Sequence, residues 1–392
     1  MDAFYASVEL LRYPELAGLP VVIGGGSRAR PQETVDLETG QTVRQFTRLR
    51  DYAGRGVATT ATYAARALGV NSAMGLMKAA RLAPDAILLP TDFDAYRRCS
   101  RAFKDSVRAI APLIEDRGID EIYIDLSGVK LSEHESIADD PVEAWWRARD
   151  VARAIKDVVR AATGLSCSIA VAPNKLLAKI ASELDKPDGL TMLAATDIAL
   201  RIWPLAARKI NGIGPKTAER LDALGVHTIG DLARADLAWL IEHFGASRGA
   251  WMHDAAHGRD DRPIVTESEP VSISRETTFD RDLHAIRDRD ELSTIFTELC
   301  VELAGDLQRK GYVGRTIGLK LRYDDFRIVT RDKTIDAPTQ DARIIRRTAG
   351  ECLKRVPLER RIRLLGVRVG GLSHASTEHA SVAKATSPPL FE

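Results

Sequence analysis

The chain has 392 residues, of which 45% are apolar and 28% are charged, and its formal net charge is +1 at pH 7. This length exceeds the roughly 250 to 300 residues at which a single core stops growing, so several domains are expected. The composition is that of a soluble globular protein, without the ~20-residue apolar stretch of a membrane helix or the pattern of a secretory signal. Four scattered cysteines indicate neither a zinc site nor a disulfide framework, which favours a reducing cytoplasm.

The first half of the chain alternates between short strands and helices. Apolar runs predict strands at 21–23, 87–90 and 165–171, and helical spacing predicts helices at 94–110, 144–162 and 174–184. Gly164 is the expected stop of the second of these helices. The polar, Arg-rich segment 27–55 predicts an exposed hairpin or a mobile loop. The interleaved elements predict an α+β fold with one sheet in this half.

The second half begins with short helices and glycine turns between residues 203 and 258, followed by a polar linker. Beyond it the pattern predicts strands at 316–323, 327–335 and 362–369, a helix at 339–356, and a disordered tail after residue 372. Residues 309–368 hold 17 Lys and Arg against 7 Asp and Glu. A basic region of this kind is typical of phosphate binding, although basic surfaces also occur for solubility alone.

Two neighbouring acids, Asp120 and Glu121, lie in the apolar run 117–126, which reads as a strand. Like charges packed close together against an apolar sheet repel each other, so a positive charge is expected beside them. A divalent cation such as Mg²⁺ would supply it. The alternative is an acidic tight turn between two strands, with Gly118 before it. The segment alone leaves both hypotheses open.

Two further patterns point to phosphate. The segment 210–218 and the turns that follow it resemble the helix-hairpin-helix motif, in which glycines let a turn approach a DNA backbone without reading sequence. Thr60, Tyr63 and Arg66 are spaced to share one helical face, and such a set could hold a triphosphate. A plain glycine-rich helix connection and an ordinary surface helix are the alternatives.

The order of the motifs resembles that of the Y-family DNA polymerases, in the bacterial DinB, or DNA polymerase IV, branch. The similarity extends to about residue 372. The motifs that carry it are Met1–Glu9, Ala58–Arg66, Asp92-Phe93 with Tyr96, Asp120-Glu121, Asn174-Lys175 with Ala178-Lys179, Lys186–Gly189, the glycine hairpin and Ser274–Phe279.

The resemblance implies a multidomain right-hand polymerase of the α+β class, with a ferredoxin-like palm, small fingers, a helix-hairpin-helix thumb and an α/β little finger. The implied boundaries are residues 1–10 and 91–192 for the palm, 11–90 for the fingers with an insertion at 27–55, 193–260 for the thumb, 261–270 for a linker, 271–372 for the little finger and 373–392 for the tail. The insertion departs from the family pattern.

The resemblance also implies a role for individual residues. Two Mg²⁺ ions would be held by Asp120, by Glu121, which is nearest to the catalytic ion, and by the backbone carbonyl of Met1. Tyr5 would be the steric gate that excludes a ribose. The implied nucleotide contacts are Phe4, Tyr5, Thr60, Tyr63, Arg66 and Lys186. The implied DNA contacts are Gly212, Gly214, Lys216, Lys320, Arg322, Arg327 and Arg331.

The pattern departs from the family at the first residue. Family members carry an aspartate directly before the position of Met1, and it is the third carboxylate of their metal site. We therefore expect Met1 to be an internal methionine of a slightly longer protein, so that the chain as given lacks the first strand and the first metal-binding aspartate and could be inactive. Asp2 matches a second acid that is generally not the main ligand.

The function that the resemblance implies is translesion DNA synthesis in DNA repair. The chain would be an error-prone nucleotidyltransferase and mutator without proofreading, acting as a cytoplasmic monomer on primer-template DNA and deoxynucleoside triphosphates. An inactive DNA-binding or clamp-associated protein of the same fold is the alternative, and a nucleotide cyclase on a palm-like sheet is a third hypothesis. Leu390 and Phe391 near the end of the chain predict docking on a sliding clamp.

Overall fold

The computed structural model describes residues 1–35, 42–129 and 140–375. The chain forms two compact units, Met1–Glu267 and Ser268–Glu392. No helix in the described part of the chain is long and apolar enough to cross a membrane.

The first 90 residues build a four-stranded sheet with three short helices. Its strand order is β4-β6-β1-β5, with β1 parallel to β6 and antiparallel to β5. The elements are α1 (Phe4–Arg12), β1 (Val21–Ile23), β2 (Gln32–Val35), β3 (Thr42–Gln45), β4 (Thr47–Arg48), β5 (Thr60–Ala61), α2 (Tyr63–Ala67), α3 (Leu76–Leu82) and β6 (Ile87–Leu89). Strands β1 and β6 are buried throughout, as their apolar runs predict. The exposed pair β2-β3 confirms the hairpin hypothesis for the 27–55 segment, in which residues 36–41 lie outside the described residues.

The next hundred residues pack two long helices against short ladders. The elements are α4 (Phe93–Arg108), β7 (Ile114–Asp116), β8 (Ile122–Ile124), α5 (Pro141–Thr163), β9 (Ile169–Val171), α6 (Lys175–Ala181) and β10 (Leu190–Met192). Strands β7 and β8 are antiparallel, and β9 and β10 are parallel. Met1 donates its N–H to Asp120 O at 2.8 Å and Asp2 donates to Ser166 O at 3.3 Å, so the first two residues lie between the two ladders. Gly164, at φ 71°, ends α5 as predicted.

Two predictions for this unit are wrong. The described residues of the first unit form one four-stranded sheet and three separate two-stranded ladders rather than one sheet. Their strands are only two to four residues long, and they bury several small cores instead of one. The run 117–126 is not one strand: it closes the β7-β8 hairpin, where Gly118 has φ 158° and Arg117 donates its N–H to Glu121 O at 3.0 Å.

The rest of the first unit is helical, as the glycine-turn pattern predicts. Its helices are α7 (Pro215–Ala223), α8 (Ile229–Arg234), α9 (Leu237–Phe244) and α10 (Ala246–Ala256). They share a core that includes Ile210, Leu221, Leu240 and Met252.

The second unit is a four-stranded antiparallel sheet with two helices on one face. Its strand order is β11-β14-β12-β13. The elements are β11 (Ser272–Leu283), α11 (Arg289–Lys310), β12 (Tyr312–Tyr323), β13 (Ile328–Thr339), α12 (Ala342–Leu353) and β14 (Ile362–His374). The sequence reading missed α11 although Phe296, Leu299, Cys300, Leu303 and Leu307 recur at helical spacing. Pro338 lies in the edge strand β13, where a missing N–H is tolerated, rather than directly before a helix.

Candidate active site and nucleic-acid interface

The acidic pair lies at the tip of the β7-β8 hairpin. Glu121 Oε2 accepts a hydrogen bond from Lys179 Nζ at 2.6 Å, and these two side chains are 35% and 28% exposed. Lys179 therefore supplies the positive charge that the pair was expected to need. Burial raises the pKa of the Tyr5 phenol, and the negative charge of Asp120 raises it further. Met1, four residues before Tyr5, donates from its N-terminal nitrogen to Asp120 O at 2.8 Å, which brings the start of the chain to the acidic turn.

The donor chemistry of this pair fits a hard cation, because carboxylate oxygens are what Mg²⁺ takes from proteins. Within the described ranges, no three His, Cys, Asp or Glu side chains are grouped so as to hold a metal ion. Each of the two hypotheses from the sequence is therefore correct in part. The acids lie in a turn between two strands, as the turn hypothesis predicts, and their carboxylates are accessible oxygen donors, as a metal site requires.

The Asp2 side chain makes structural hydrogen bonds. Its carboxylate is buried and accepts hydrogen bonds from Ser166 Oγ at 3.0 Å, Ser168 Oγ at 2.7 Å and the Asp188 backbone N–H at 2.9 Å. These contacts join the start of the chain to the β9 region and to the turn that follows Lys186. They support the expectation that Asp2 is not a substitute metal ligand.

An aromatic cluster fixes Tyr5. Its ring stacks on Tyr96 with centroids 4.4 Å apart, and it meets Phe93 at 5.9 Å and Phe4 at 5.6 Å. Tyr96 is fully buried and donates its hydroxyl to Glu9 Oε1 at 2.7 Å. Burial raises the pKa of Tyr96, and the bond to Glu9 adds to this. Three aromatic contacts, one of them a stacked ring, therefore define the position of the Tyr5 ring.

The three residues of the proposed triphosphate clamp do come together. Thr60 lies in β5 and not on the helical face that its spacing predicts, because α2 begins only at Tyr63. Arg66 nevertheless reaches back, with Nη2 donating to Thr60 Oγ1 at 3.3 Å and its guanidinium 5.0 Å from the Tyr63 ring centroid. The Tyr63 hydroxyl is buried and has no hydrogen-bond partner in the described part of the chain. Burial raises the pKa of Tyr63 to about 12, and the charge of Asp2 contributes.

Lys186 is held by an acid that sequence reasoning missed. Its Nζ lies 2.6 Å from Glu183 Oε1, three residues earlier in the chain. Burial alone would raise the pKa of Glu183, but the hydrogen bond from Lys186 and the charges of Lys186 and Lys179 hold it below its usual value. The i, i+3 spacing of an acid and a lysine was a signal that could have predicted this pair.

The glycine hairpin has the close backbone packing that its motif requires. Gly212 adopts φ 115°, and a Cβ there would lie 2.8 Å from the Trp251 ring. Arg248 Nη2 donates to Gly212 O at 2.8 Å. Gly214 precedes α7 and Lys216 is exposed in the first turn of that helix. The turn and the lysine are both exposed.

The four basic residues proposed for the little finger do not share one face. Lys320 and Arg322 point to the open face of the sheet, away from α11 and α12. Arg331 pairs with the buried Leu319 and donates from Nε to Arg355 O at 3.3 Å, so it points to the helix side. Arg327 lies in the turn between β12 and β13.

Comparisons with known proteins identify the family. The model of the impB/mucB/samB family matches residues 1–183, and the model of that family's C-terminal domain matches residues 270–382. DNA polymerase IV of Caulobacter vibrioides is 36% identical, over 97% of this chain and 84% of the relative. DNA polymerase IV of Alkalilimnicola ehrlichii is 38% identical, over 97% and 96%. The chain belongs to the Y family of DNA polymerases, in the DNA polymerase IV branch.

Solved structures of Y-family polymerases have the same fold. A Y-family DNA polymerase chimera, Dbh-Dpo4(243-245)-Dbh, superimposes with a TM-score of 0.75 at 24% identity, over 94% of this chain and 96% of the other. An insertion ternary complex of Dbh DNA polymerase gives a TM-score of 0.60 at 24% identity, over 96% and 98%. The predicted α+β, multidomain right-hand architecture is thereby confirmed.

A second Lys–Glu pair on α6 of this Y-family chain also escaped sequence reasoning. Lys175 Nζ lies 2.6 Å from Glu115 Oε2, and both side chains are less than 10% exposed. Lys175 also donates to Pro263 O at 2.6 Å, and Val265 donates its N–H to Glu115 Oε2 at 3.0 Å. The pair therefore fastens the segment after α10 to α6 and β7. Lys175 and Lys179 were visible as part of the motif, but their partners depend on the tertiary fold.

Proposed function

We propose that this chain is a template-directed translesion DNA polymerase that adds deoxynucleotides to a primer 3′ end with two Mg²⁺ ions, is error-prone and has no proofreading. The observation that carries the proposal is the 2.8 Å hydrogen bond from the Met1 nitrogen to Asp120 O, because it brings the start of the chain, which carries the candidate sugar gate Tyr5, to the candidate metal ligand in a member of the Y family. The alternative of an inactive protein of the same fold has no observation that favours it.

The metal ions would be held by Asp120, Glu121 and the Met1 carbonyl. When bound, they would neutralise charge on the triphosphate and activate the primer hydroxyl. Glu121 has to leave Lys179 in order to face a cation. That exchange is feasible because an ion pair exposed by about a third is worth little in water.

The triphosphate would be held by Thr60, Tyr63, Arg66 and Lys186. The unpartnered Tyr63 hydroxyl supports this role, since a buried hydroxyl without a partner carries a free-energy cost that a phosphate oxygen would relieve. Arg66 offers a planar fork of donors to phosphate oxygens. Lys186 would exchange Glu183 for phosphate.

Tyr5 would exclude ribonucleotides. The stacked Tyr96 and the edge of Phe93 keep its ring in place, so it forms a fixed wall and not a mobile one. A sugar lying on that wall has no room for a 2′ hydroxyl, and Phe4 supports the same wall from α1.

The DNA would be held through its backbone by the glycine hairpin around Gly212, Gly214 and Lys216 and by the second unit. Lys320 and Arg322 on the open sheet face suit duplex phosphates. Arg327 in its turn remains a candidate, and Arg331 could contribute only from the helix side. Clamp docking through Leu390 and Phe391, which lie outside the described residues, stays a prediction, as do monomeric state and cytoplasmic location.

The test is primer extension with Mg²⁺ and all four deoxynucleotides. Since the family pattern places a third carboxylate directly before Met1, the assay uses the chain as given and the chain with an aspartate-ending strand joined to Met1. We expect template-directed extension by the second protein and ribonucleotide rejection that Tyr5→Ala weakens. Tight primer-template binding without extension by either protein would favour the inactive alternative.

A further inference from the structure

Two ion pairs cross the open face of the sheet in the second unit, each reaching over a glycine of the intervening strand. Lys320 Nζ on β12 lies 2.7 Å from Glu276 Oε2 on β11, and Gly366 of β14 lies between them in register. Arg368 Nη2 on β14 lies 2.7 Å from Asp332 Oδ1 on β13. The residue between this second pair is Gly318 of β12.

The two glycines leave the space that the pairs occupy. A Cβ on Gly366 would lie 2.8 Å from Glu276 Cβ, and a Cβ on Gly318 would overlap Asp332 Oδ1. The side chains of Lys320 and Arg368 therefore lie along the sheet surface, because each pairs with an acid two strands away, Glu276 and Asp332 respectively. Arg322, on the same face, has no ion-pair or hydrogen-bond partner among the described residues.

We propose that Glu276 and Asp332 compete with DNA phosphates for Lys320 and Arg368, and so weaken the grip of this face on the duplex backbone. The inference rests on the proposed function, in which this face meets duplex DNA. The face carries three cations, Lys320, Arg322 and Arg368, which suit a phosphodiester backbone. The two carboxylates would lie close to any phosphate that these cations bind.

The exposure of the pairs makes the exchange feasible. The side chains of Lys320 and Glu276 are 34% and 46% exposed, and those of Arg368 and Asp332 are 49% and 42% exposed. Exposed pairs of this kind are weak in water. A phosphate can therefore displace the carboxylate, but each displacement lowers the affinity, and each carboxylate also repels the phosphate that replaces it. The result is a polymerase that binds duplex DNA through its backbone yet releases it readily.

The test measures binding of the full chain to a labelled primer-template by fluorescence anisotropy at several salt concentrations. We expect Glu276→Gln and Asp332→Asn each to tighten binding by about three- to tenfold at low salt and to steepen the salt dependence, because a freed cation makes a fuller phosphate contact. The matched control is Glu351→Gln. It removes the same charge from the Lys333–Glu351 pair on the helix side of the sheet and should change binding less than about twofold.

Equal affinities for Glu276→Gln, Asp332→Asn and Glu351→Gln would overturn the competition. Arg322→Ala separates this from a failure of the proposed function. If it weakens binding while the acid variants behave like the control, the face binds DNA and only the competition is wrong. If Arg322→Ala also leaves binding unchanged, the face does not contact DNA and both proposals for it fail. Thermal unfolding of each variant confirms that it is folded at the assay temperature.

Discussion

Helix α6 carries two lysines one turn apart, and each forms an ion pair with a glutamate of the β7-β8 hairpin. Lys175 pairs with Glu115 in strand β7, and Lys179 pairs with Glu121 at the hairpin tip. The Nζ to Oε2 distance is 2.6 Å in both pairs. The side chains of Lys175 and Glu115 are 9% and 7% exposed, whereas those of Lys179 and Glu121 are 28% and 35% exposed. Identical chemistry thus occurs in two different environments. We infer that the buried pair is part of the framework and that the exposed pair is exchangeable.

The partners of each pair support this difference. Glu115 accepts from Lys175 and from the Val265 N–H, and Lys175 also donates to Pro263 O, so the buried charges have several hydrogen bonds. Burial alone would raise the pKa of Glu115, but the hydrogen bonds from Lys175 and Val265 outweigh it and hold that pKa below its usual value. The protein satisfies the buried pair with several hydrogen bonds, whereas the Glu121 carboxylate accepts only from Lys179 within the described part of the chain and is accessible to a cation.

The largest difference between the pairs should appear in stability. Lys175→Met leaves the buried Glu115 with only the exposed Arg117, whose Nη1 lies 3.4 Å from Glu115 Oε1, as a cationic partner. The loss of Lys175 should lower the free energy of unfolding of the first unit by about 3 kcal/mol. Lys179→Met removes the same charge from the same helix at a partly exposed position, and it should lower the free energy of unfolding by less than about 1 kcal/mol. Denaturant unfolding followed by a probe in the first unit measures both. Similar losses would contradict the distinction.

The next largest difference should appear in catalysis. In the chain with the aspartate-ending strand joined to Met1, Glu121→Gln should lower the rate of primer extension by about 100-fold or more, because a lost metal ligand removes several kcal/mol of charge stabilisation. Its stability should change little. Glu115→Gln is the matched control: its rate per folded molecule should stay within about threefold of the parent. A slow but stable Glu115→Gln protein would show that the buried pair has a direct part in the reaction.

A smaller difference should appear with pH. The pKa of Glu115 is lower in the folded than in the unfolded chain, where its usual value is 4.5, so its charge stabilises the fold above that value. This contribution is lost as the pH falls through the lower, folded pKa. The stability difference between the parent and Glu115→Gln should therefore be constant near pH 7 and shrink below about pH 4.5. Unfolding free energies measured from pH 7 to pH 3 test this, and a difference that grows with acidity would contradict it.

Much of this site was predictable from local sequence, and what escaped was tertiary. The Asp120-Glu121 pair and the Tyr63-Arg66 spacing were visible as short motifs, whereas the role of Tyr5 came only from the resemblance to the family. The pairing of Lys179 with Glu121 escaped because the two residues are far apart in the chain and only the tertiary fold brings them together. The Glu183–Lys186 pair was missed although its i, i+3 spacing carried a signal.

The errors in the fold have the same origin. The run 117–126 was interpreted as one strand because its residues favour strands, but Gly118 allows the backbone to turn within it. The sequence did not indicate which sheet face Arg331 takes, because strand register decides it: Arg331 pairs with Leu319 and points to the helix side, unlike Lys320 and Arg322. Helix α11 was missed although its apolar spacing was present, so that error lay in the interpretation of the pattern.

The most direct test of the exchangeable pair is Mn²⁺ binding, followed by electron paramagnetic resonance, in the full chain with primer-template and a non-hydrolysable deoxynucleotide. Mn²⁺ is used because it takes the same oxygen ligands as Mg²⁺ and is paramagnetic. We expect Glu121→Gln to weaken Mn²⁺ binding by about tenfold or more, and Glu115→Gln, at a temperature where it is folded, to bind Mn²⁺ like the parent. Unchanged binding by Glu121→Gln, or an equal loss in both variants, would contradict the assignment of Glu121 as the carboxylate that exchanges its lysine for a metal ion.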